Sequence, residues 1–301
     1  MVEECLSLLR PAGQGKDKSV FVDATFGAGG HTTALLDAMP QSSVVALDAD
    51  PAAVARAKRL ARTYPGRVIP CHANFGELGR ALDDAGVAQI DGILYDLGLS
   101  SLQLADTARG FSFAGDEPLD MRLDPSSDAP TASALLNALS QTELETLLRD
   151  YADERHARSI ARSIVKRRAR VRTWRTGDLV AAVLSAQGSR GHQRIHPATR
   201  SFQALRMAVN ADLPNLERSL ETALERLRPH GRMVVISFQS AEDRVVKHCF
   251  KAFAQDGRAQ LVTRKPLRPG RAEVAANVRS RSAKLRAIAR TGPPDASGMG
   301  E

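Results

Sequence analysis

The stretch Val20-Phe21-Val22-Asp23-Ala24-Thr25-Phe26-Gly27-Ala28-Gly29-Gly30-His31 constrains the fold more than any other part of the chain. A short apolar run ends in a carboxylate, and a glycine-rich turn leads into helix-forming sequence. In an open α/β sheet, ligands bind outside the carboxyl ends of the strands. Glycine at such a turn lets the backbone reverse sharply and come close to a ligand. The same rhythm continues downstream. Residues 43–48 (SVVALD) form a second apolar run. Asp50-Pro51 then supplies an N-cap and a proline at the first helical position, and 52–64 reads as a helix. Residues 67–72 predict a third strand, 75–86 a helix and 90–96 (IDGILYD) a fourth strand. Continuous apolar strands between helices argue for a parallel sheet covered on both faces.

After Gly98 the rhythm breaks. Residues 106–130 are rich in Asp, Pro, Gly and Ser, helical signals run from 131 to 187, and 188–199 is polar. One long helix is expected over 201–227, stopped by Pro229 and Gly231. A fifth buried strand at 232–238 (RMVVISF), a helix near 241–255 and a last strand at 283–290 follow. The expectation is an α/β fold with a doubly wound, mainly parallel, Rossmann-like sheet. Its core comes from 1–105 and 201–301. A helical insertion at 106–200 is assigned to substrate recognition. The tail TGPPDASGMGE predicts no packed structure.

No apolar run approaches the roughly 20 residues that span a bilayer. Glu3 and Glu4 stand where a signal peptide would be basic. Cys5, Cys71 and Cys249 are odd in number and form no CxxC pair, which argues against a disulfide framework or a zinc site. These features predict an unexported, cytoplasmic protein without a metal. The net charge of +8, from 42 basic and 34 acidic residues, points to a polyanionic partner. Aromatics are only 4% of the chain, so no extended base-stacking surface is expected.

Two carboxylates sharpen the ligand. Asp48 ends the second strand about 20 residues after the glycine loop, where an acid accepts both hydroxyls of an adenosine ribose. Asp96 ends the fourth strand on the same rim. Acids in this place suit the sulfonium and amino groups of S-adenosylmethionine better than a pyrophosphate. A nicotinamide enzyme is the rival, but its G-x-G-x-x-G fingerprint needs glycine where this chain has Thr32.

Longer motifs occur in a fixed order: DATFGAGGH (23–31), ALDADP (46–51), DGILYDLGLSSLQL (91–104), RGFSF (109–113), PLDMRLD (118–124), HPATRSFQALRMAVN (196–210) and ISFQSAEDR (236–244). Together they closely resemble the bacterial 16S ribosomal RNA (cytosine-N(4))-methyltransferase family over nearly the whole chain. The resemblance implies a class I methyltransferase core with a helical insertion. It implies methyl transfer to the exocyclic amine of one decoding-region cytosine, within an assembled or nearly assembled small ribosomal subunit. It leaves room for a homodimer. It assigns donor binding to Gly29, Gly30, His31, Asp48, Phe75, Asp96 and Gln103. Three departures stand out. The family usually opens with a His-containing segment just before a stretch like MVEECL, and this sequence starts at that stretch; Gln239 replaces a histidine, and Val278 replaces a proline.

A sulfonium methyl is already activated, so the chemistry needs alignment rather than a metal. The cytosine amine lone pair is delocalised, and acceptors on its N–H groups would localise it and take the proton. The turn Asp96-Leu97-Gly98-Leu99-Ser100-Ser101 stands where other amino-methyltransferases hold the target amine. Asp96, Ser100 and Ser101 are therefore the candidate catalytic residues. His31 opens a helix, where a positive charge meets an unfavourable dipole, so a neutral hydrogen-bonding role is expected. Asp120, Arg122 and Asp124 read first as a structural ion-pair cluster. Segment 155–175 holds nine basic residues and no acid. A solvated charged face explains most such runs, but the missing acids favour RNA, with Arg162, Lys166, Arg167 and Arg168 as contacts. His196 and Arg200 are further candidates for phosphate, as are Arg279, Arg281 and Lys284 near the end. A paired target base would have to be extruded. A non-catalytic RNA-binding protein on the same fold is the third reading, favoured only by Gln239 and the short start.

Overall fold

The computed structural model describes residues 1–13, 15, 18–113, 115–187 and 196–292. The polar segment at 188–195 and the tail from 293 lie outside the described residues. The chain divides into two compact units. One comprises Met1–Gly98 and the chain from Pro214 onward, and the other is Leu99–Leu213.

The first unit opens with α1 (Val2–Gly13), β1 (Ser19–Asp23), α2 (Gly30–Ala38), β2 (Ser42–Asp48), α3 (Pro51–Thr63), β3 (Val68–His72), α4 (Leu78–Asp84) and β4 (Ile90–Asp96). The second holds α5 (Ser101–Ala105), α6 (Ala132–Ala138), α7 (Gln141–Ala152), α8 (Ala157–Arg168), α9 (Thr176–Gln187) and α10 (Thr199–Val209). Helix α11 (Asp212–Arg226) returns the chain to the first unit, which ends with β5 (Leu227–Ser237), α12 (Ser240–Gln255), β6 (Ala259–Leu261), α13 (Arg271–Ala276) and β7 (Lys284–Arg290). Among the described residues the sheet has seven strands in the order β3-β2-β1-β4-β5-β7-β6. Strands β1 to β5 pair in parallel, and β7 runs antiparallel to β5 and β6. The sheet is doubly wound and Rossmann-like, with the order reversing between β1 and β4.

Strand alternation explains why the apolar runs are continuous. Phe21, Val44, Ala46, Leu94, Val234 and Ile236 pack on one face with Leu9, Leu35, Leu36, Ala53 and Ala57. Their neighbours Val22, Val45, Leu47, Ile93, Tyr95 and Val235 pack on the other with Leu78, Leu82, Leu220, Leu224 and Phe250. Each full side-chain burial of this kind contributes about 1.5–3 kcal/mol. The Asp50 side chain accepts from the Ala52 N–H at 2.9 Å, and Pro51 follows, as the sequence predicts.

The helical unit has its own core. Leu119, Met121, Leu136, Leu144, Leu148, Ile160, Ile164, Trp174, Leu179 and Val183 are buried together with Phe202 and Leu205. Helix α10 belongs to this core, so the unit extends past residue 200 to Leu213.

Three expectations change. The single helix expected over 201–227 is two, because the chain turns at Asn210 and Ala211, where Ala211 has a left-handed φ of 49°. The helix expected over 75–86 is a single 3-10 turn, Phe75–Glu77, followed by α4. Helix α1 and strand β6, for which no element was predicted, are present. In α1, Leu6 and Leu9 face the core behind Glu3 and Glu4 in the first turn.

Candidate functional site

Three carboxylates end adjacent strands. Asp23 pairs in register with Ala46 of β2 and Leu94 of β4. Asp48 and Asp96 therefore each stand two residues beyond their partner of Asp23, on either side of it. The glycine loop folds over this edge. Ala24 N–H donates to the Leu94 carbonyl at 2.9 Å, and Phe26 N–H donates to that of Leu47 at 3.0 Å. Gly27 and Gly29 have φ of 53° and 85°, in the left-handed region where side chains are strained. A Cβ on Gly29 would lie 2.6 Å from the Phe26 ring. A Cβ on Gly30, in contrast, would meet nothing within 4 Å. The fold requires glycine at 29. At 30 it leaves open space against the backbone.

Asp48 holds the loop. It accepts from Gly27 N–H at 2.7 Å and from Asp50 N–H at 2.8 Å. Burial pushes its carboxyl up to about 6, against the pull of those two bonds. Arg56 of α3 donates from Nε to the Gly27 carbonyl at 2.9 Å. Asp23 is buried and accepts from the Thr32 hydroxyl at 2.7 Å. Burial raises its carboxyl above the usual range, with His31 and Thr32 opposing. Thr32 thus fills the place where a dinucleotide fingerprint needs glycine, and its hydroxyl is committed to Asp23.

Asp96 is fixed through its backbone, whose N–H donates to the Thr25 hydroxyl at 2.6 Å. Its carboxyl is raised by burial and by Asp23, while His31 pulls it down. His31 Nδ1 lies 3.6 Å from Asp96 Oδ2, beyond hydrogen-bond distance. The other two polar atoms of this pair, Asp96 Oδ1 and His31 Nε2, are buried without a hydrogen-bond partner among the described residues. Unpaired buried polar atoms are costly, so this pair is suited to a polar ligand. Phe75 is half-buried in the turn after β3, edge-on to the Tyr95 ring at 6.2 Å.

Ser100, Ser101 and Gln103 belong to the helical unit. Ser100 caps α5: its hydroxyl accepts from Gln103 N–H at 3.2 Å, and the Gln103 side-chain carbonyl accepts from Ser100 N–H at 2.9 Å. Ser101 is exposed at the first position of the helix. Asp120 and Arg122 form a two-point ion pair, with Nε to Oδ1 and Nη2 to Oδ2 both at 2.8 Å. Asp124 caps the turn at Ser126. Burial works to raise the Asp120 carboxyl, but its bonds to Arg122 hold it below the usual range. The cluster is structural.

The basic candidates divide. Arg158, Arg162 and Lys166 are exposed along one side of α8, opposite Ile160 and Ile164, and Arg155 is exposed in the turn before it. Arg167 pairs with Asp178 at 3.5 Å, and Arg168 donates to the carbonyls of Asn137 and Leu139. Arg200 donates to the Asp153 carbonyl at 3.0 Å, and His196 Nδ1 accepts from Ala198 N–H at 3.2 Å. Arg279 and Arg281 are exposed, whereas Lys284 is tied to Asp243 at 2.8 Å beside Arg286. Sequence reading passed over Thr25, Arg56 and the role of Asp23. Asp23 could have been found as a third strand-end acid, but nothing in the spacing marks Arg56. Gln239 precedes α12 and donates its backbone N–H to Glu242 at 3.1 Å.

The family model described as the MraW methylase family matches residues 1–291. A protein of Thermomicrobium roseum named ribosomal RNA small subunit methyltransferase H is 48% identical over 306 residues, covering 96% of this chain and 92% of its own. One of the same name from Methylobacterium nodulans is 43% identical over 315 residues, covering 98% and 90%. An rRNA methylase structure from Streptococcus thermophilus aligns over 97% of this chain and 96% of its own, at 13% identity and a TM-score of 0.45. With nearly its full length matched by the family model and by close relatives, the chain belongs to the MraW methylase family.

Proposed function

We propose that this methylase transfers the methyl group of S-adenosylmethionine to the exocyclic N(4) amine of one decoding-region cytosine in 16S ribosomal RNA. The observation that carries the donor half is the pair of buried, unpartnered atoms Asp96 Oδ1 and His31 Nε2 at the strand-end rim, with the exposed Gly30 directly before His31 in the loop. The acceptor half is supported by the relatives' shared name, ribosomal RNA small subunit methyltransferase H. The acceptor RNA is met within the small ribosomal subunit, in the cytoplasm.

The residues fit the donor. Asp48 takes the ribose hydroxyls on the acceptor sites its two N–H bonds leave over. Gly29, Gly30 and His31 give the backbone close approach, and Phe75 borders the adenine side. Gln103 is the proposed contact from α5. When bound, the donor supplies a methyl group already activated by its sulfonium. Asp96 then has two tasks. Its free Oδ1 accepts an N–H of the target amine, which localises the nitrogen lone pair. The same oxygen takes a proton as the amine is methylated, a task helped by a carboxyl that burial has made more basic. His31 is a positioning residue that favours the ionised carboxylate. Ser100 and Ser101 shape the turn that receives the base, and the helical unit reads the RNA around it.

The test is transfer of tritiated methyl groups to unmethylated small subunits, with the modified nucleotide mapped by mass spectrometry. Methyl incorporated at the N(4) of a single decoding-region cytosine is expected, and incorporation elsewhere overturns the acceptor. Asp96→Asn is expected to cost at least about 100-fold in rate. Full activity with unchanged donor affinity in that variant would remove Asp96 from both roles.

A further inference from the structure

Most aromatic side chains of this chain are buried or half-buried, but Phe113 is 36% exposed. Two residues earlier in the loop after α5, Phe111 turns into the helical unit's core at 6% exposure, with the Arg109 guanidinium 5.2 Å above its ring. Phe113 is held outside that core. Its ring stacks on the exposed imidazole of His196, with centroids 4.4 Å apart and planes 21° from parallel. Its edge meets the buried Phe202 at 5.3 Å and 74°. The His196 ring is itself fixed, because Nδ1 accepts the Ala198 N–H. That bond leaves the proton of a neutral ring on Nε2.

The surroundings are basic. Arg200 lies one turn beyond His196, and its guanidinium reaches the Asp153 carbonyl at 3.0 Å. That bond brings the start of α10 to the turn before α8, where Arg155 is exposed, with Arg158 exposed in the helix's first turn. An exposed, preordered ring pair flanked by arginines matches one ligand chemistry. It is an unpaired nucleotide, whose base stacks on a ring while its phosphates meet the arginines.

We propose that Phe113 and His196 form a stacking platform for one unpaired base of the RNA substrate, with Arg200 and the start of α8 on the adjoining phosphates. The inference rests on the RNA-substrate reading and adds where an unpaired base is held. The two ring contacts of Phe113 already fix its rotamer, so little side-chain freedom is lost when a base arrives. Stacking is indifferent to base identity, because every base has a π-face. The platform therefore selects single-stranded over paired RNA rather than a sequence.

The two kinds of contact respond differently to salt. Phosphate contacts release counterions and set the slope of log K against log salt, whereas stacking does not. The experiment measures fluorescence anisotropy of a labelled single-stranded oligoribonucleotide, and of the same strand in a duplex, with the full chain across a salt series. Phe113→Ala is expected to raise the single-strand Kd about tenfold, with an unchanged salt slope and an unchanged duplex Kd. Phe113→Trp is expected to restore single-strand binding. Arg200→Ala is expected to flatten the slope. The duplex Kd and the melting temperature of each variant report whether it has folded.

An unchanged single-strand Kd in a folded Phe113→Ala protein overturns the platform, as does equal loss on strand and duplex. A parent protein that binds neither RNA overturns the platform, and one that also transfers no methyl group to unmethylated small subunits overturns the RNA-substrate reading itself, which separates the two failures. If Phe113→Ala instead dissociates a dimer in sedimentation while RNA affinity holds, the ring pair serves a second copy of the chain, and the platform is overturned.

Discussion

Two adjacent glycines in the loop after β1 carry different burdens, and single substitutions separate them. Gly29 combines a φ of 85° with a Cβ position 2.6 Å from the Phe26 ring. Gly29→Ala is expected to destabilise the protein by at least about 1–2 kcal/mol, from the left-handed backbone alone. Gly30 starts α2, and a Cβ there meets nothing within 4 Å. Gly30→Ala is expected to leave thermal stability unchanged while weakening donor affinity in calorimetry. A Gly30→Ala protein with parental donor affinity would remove the backbone-approach reading. Asp48 gives a second residue-scale outcome, with opposite signs for folding and binding. Burial lifts its carboxyl to about 6, above an unfolded value of about 4. The folded chain then takes up the proton more readily than the unfolded chain. The stability contribution of this group therefore rises as pH falls from about 6 to about 4 and is lost above 6. Ribose hydroxyls need the ionised carboxylate as acceptor, so donor affinity is expected to fall as pH drops below about 6. Titrations of donor affinity from pH 8 to pH 5, with Asp48→Asn as reference, check this. A flat profile in the parent protein would remove Asp48 from ribose binding.

At the scale of elements, the sequence announces structure where burial is two-sided and hides it where the chain turns without glycine or proline. Strands β1, β2 and β4 were legible because both their faces are covered, so Val22, Val45 and Ile93 continue the apolar run that Phe21, Val44 and Leu94 begin. Strand β6 was not, because it has three residues and two are exposed. The break between α10 and α11 falls at Asn210 and Ala211, neither a strong breaker. The available signal was Pro214, which is tolerated only in the first turn of a helix. The acids at β2 and β4 were legible from their strand-end positions. The contacts of Arg56 and Thr25 depend on tertiary packing and leave no periodic trace. Helix α8 shows the same division. Its exposed stripe of arginines reads directly from 3.6-residue spacing, but spacing cannot say that Arg168 spans the Asn137 and Leu139 carbonyls. Arg162→Ala is expected to change stability by less than about 0.5 kcal/mol and to flatten the salt dependence of RNA binding by about 0.7–0.9 per phosphate lost. Arg168→Ala is expected to cost about 1–2 kcal/mol of stability through two lost carbonyl bonds. Denaturant melts beside RNA titrations of both variants distinguish the roles. The same loss of stability in both would reject the division.

For the whole molecule, the two hydrophobic cores are the main fact. The chain leaves the sheet unit at Gly98 and returns at Pro214. Between those crossings, Ile160, Ile164, Trp174 and Leu179 form a core of their own. Units with separate cores and two chain crossings tend to open as separate cooperative bodies. Donor binding is then expected to stabilise one body and not the other. At 100 times its dissociation constant, a ligand adds about 2.7 kcal/mol to the unit it binds, which slows exchange through global opening about 100-fold. Amides of Val22, Val45 and Ile93 in the sheet are expected to slow by that factor in hydrogen-exchange mass spectrometry. Those of Ile160 and Leu179 are expected to keep their rates. Helix α5 is the diagnostic exception. It lies in the helical unit, yet Gln103 within it is a proposed donor contact, so its amides should slow along with the sheet if that contact forms. Slowing in the sheet without slowing in α5 would remove Gln103 from donor binding. Equal slowing in α8 and α9 would mean that the molecule opens as one body, and that donor occupancy is felt across the helical unit.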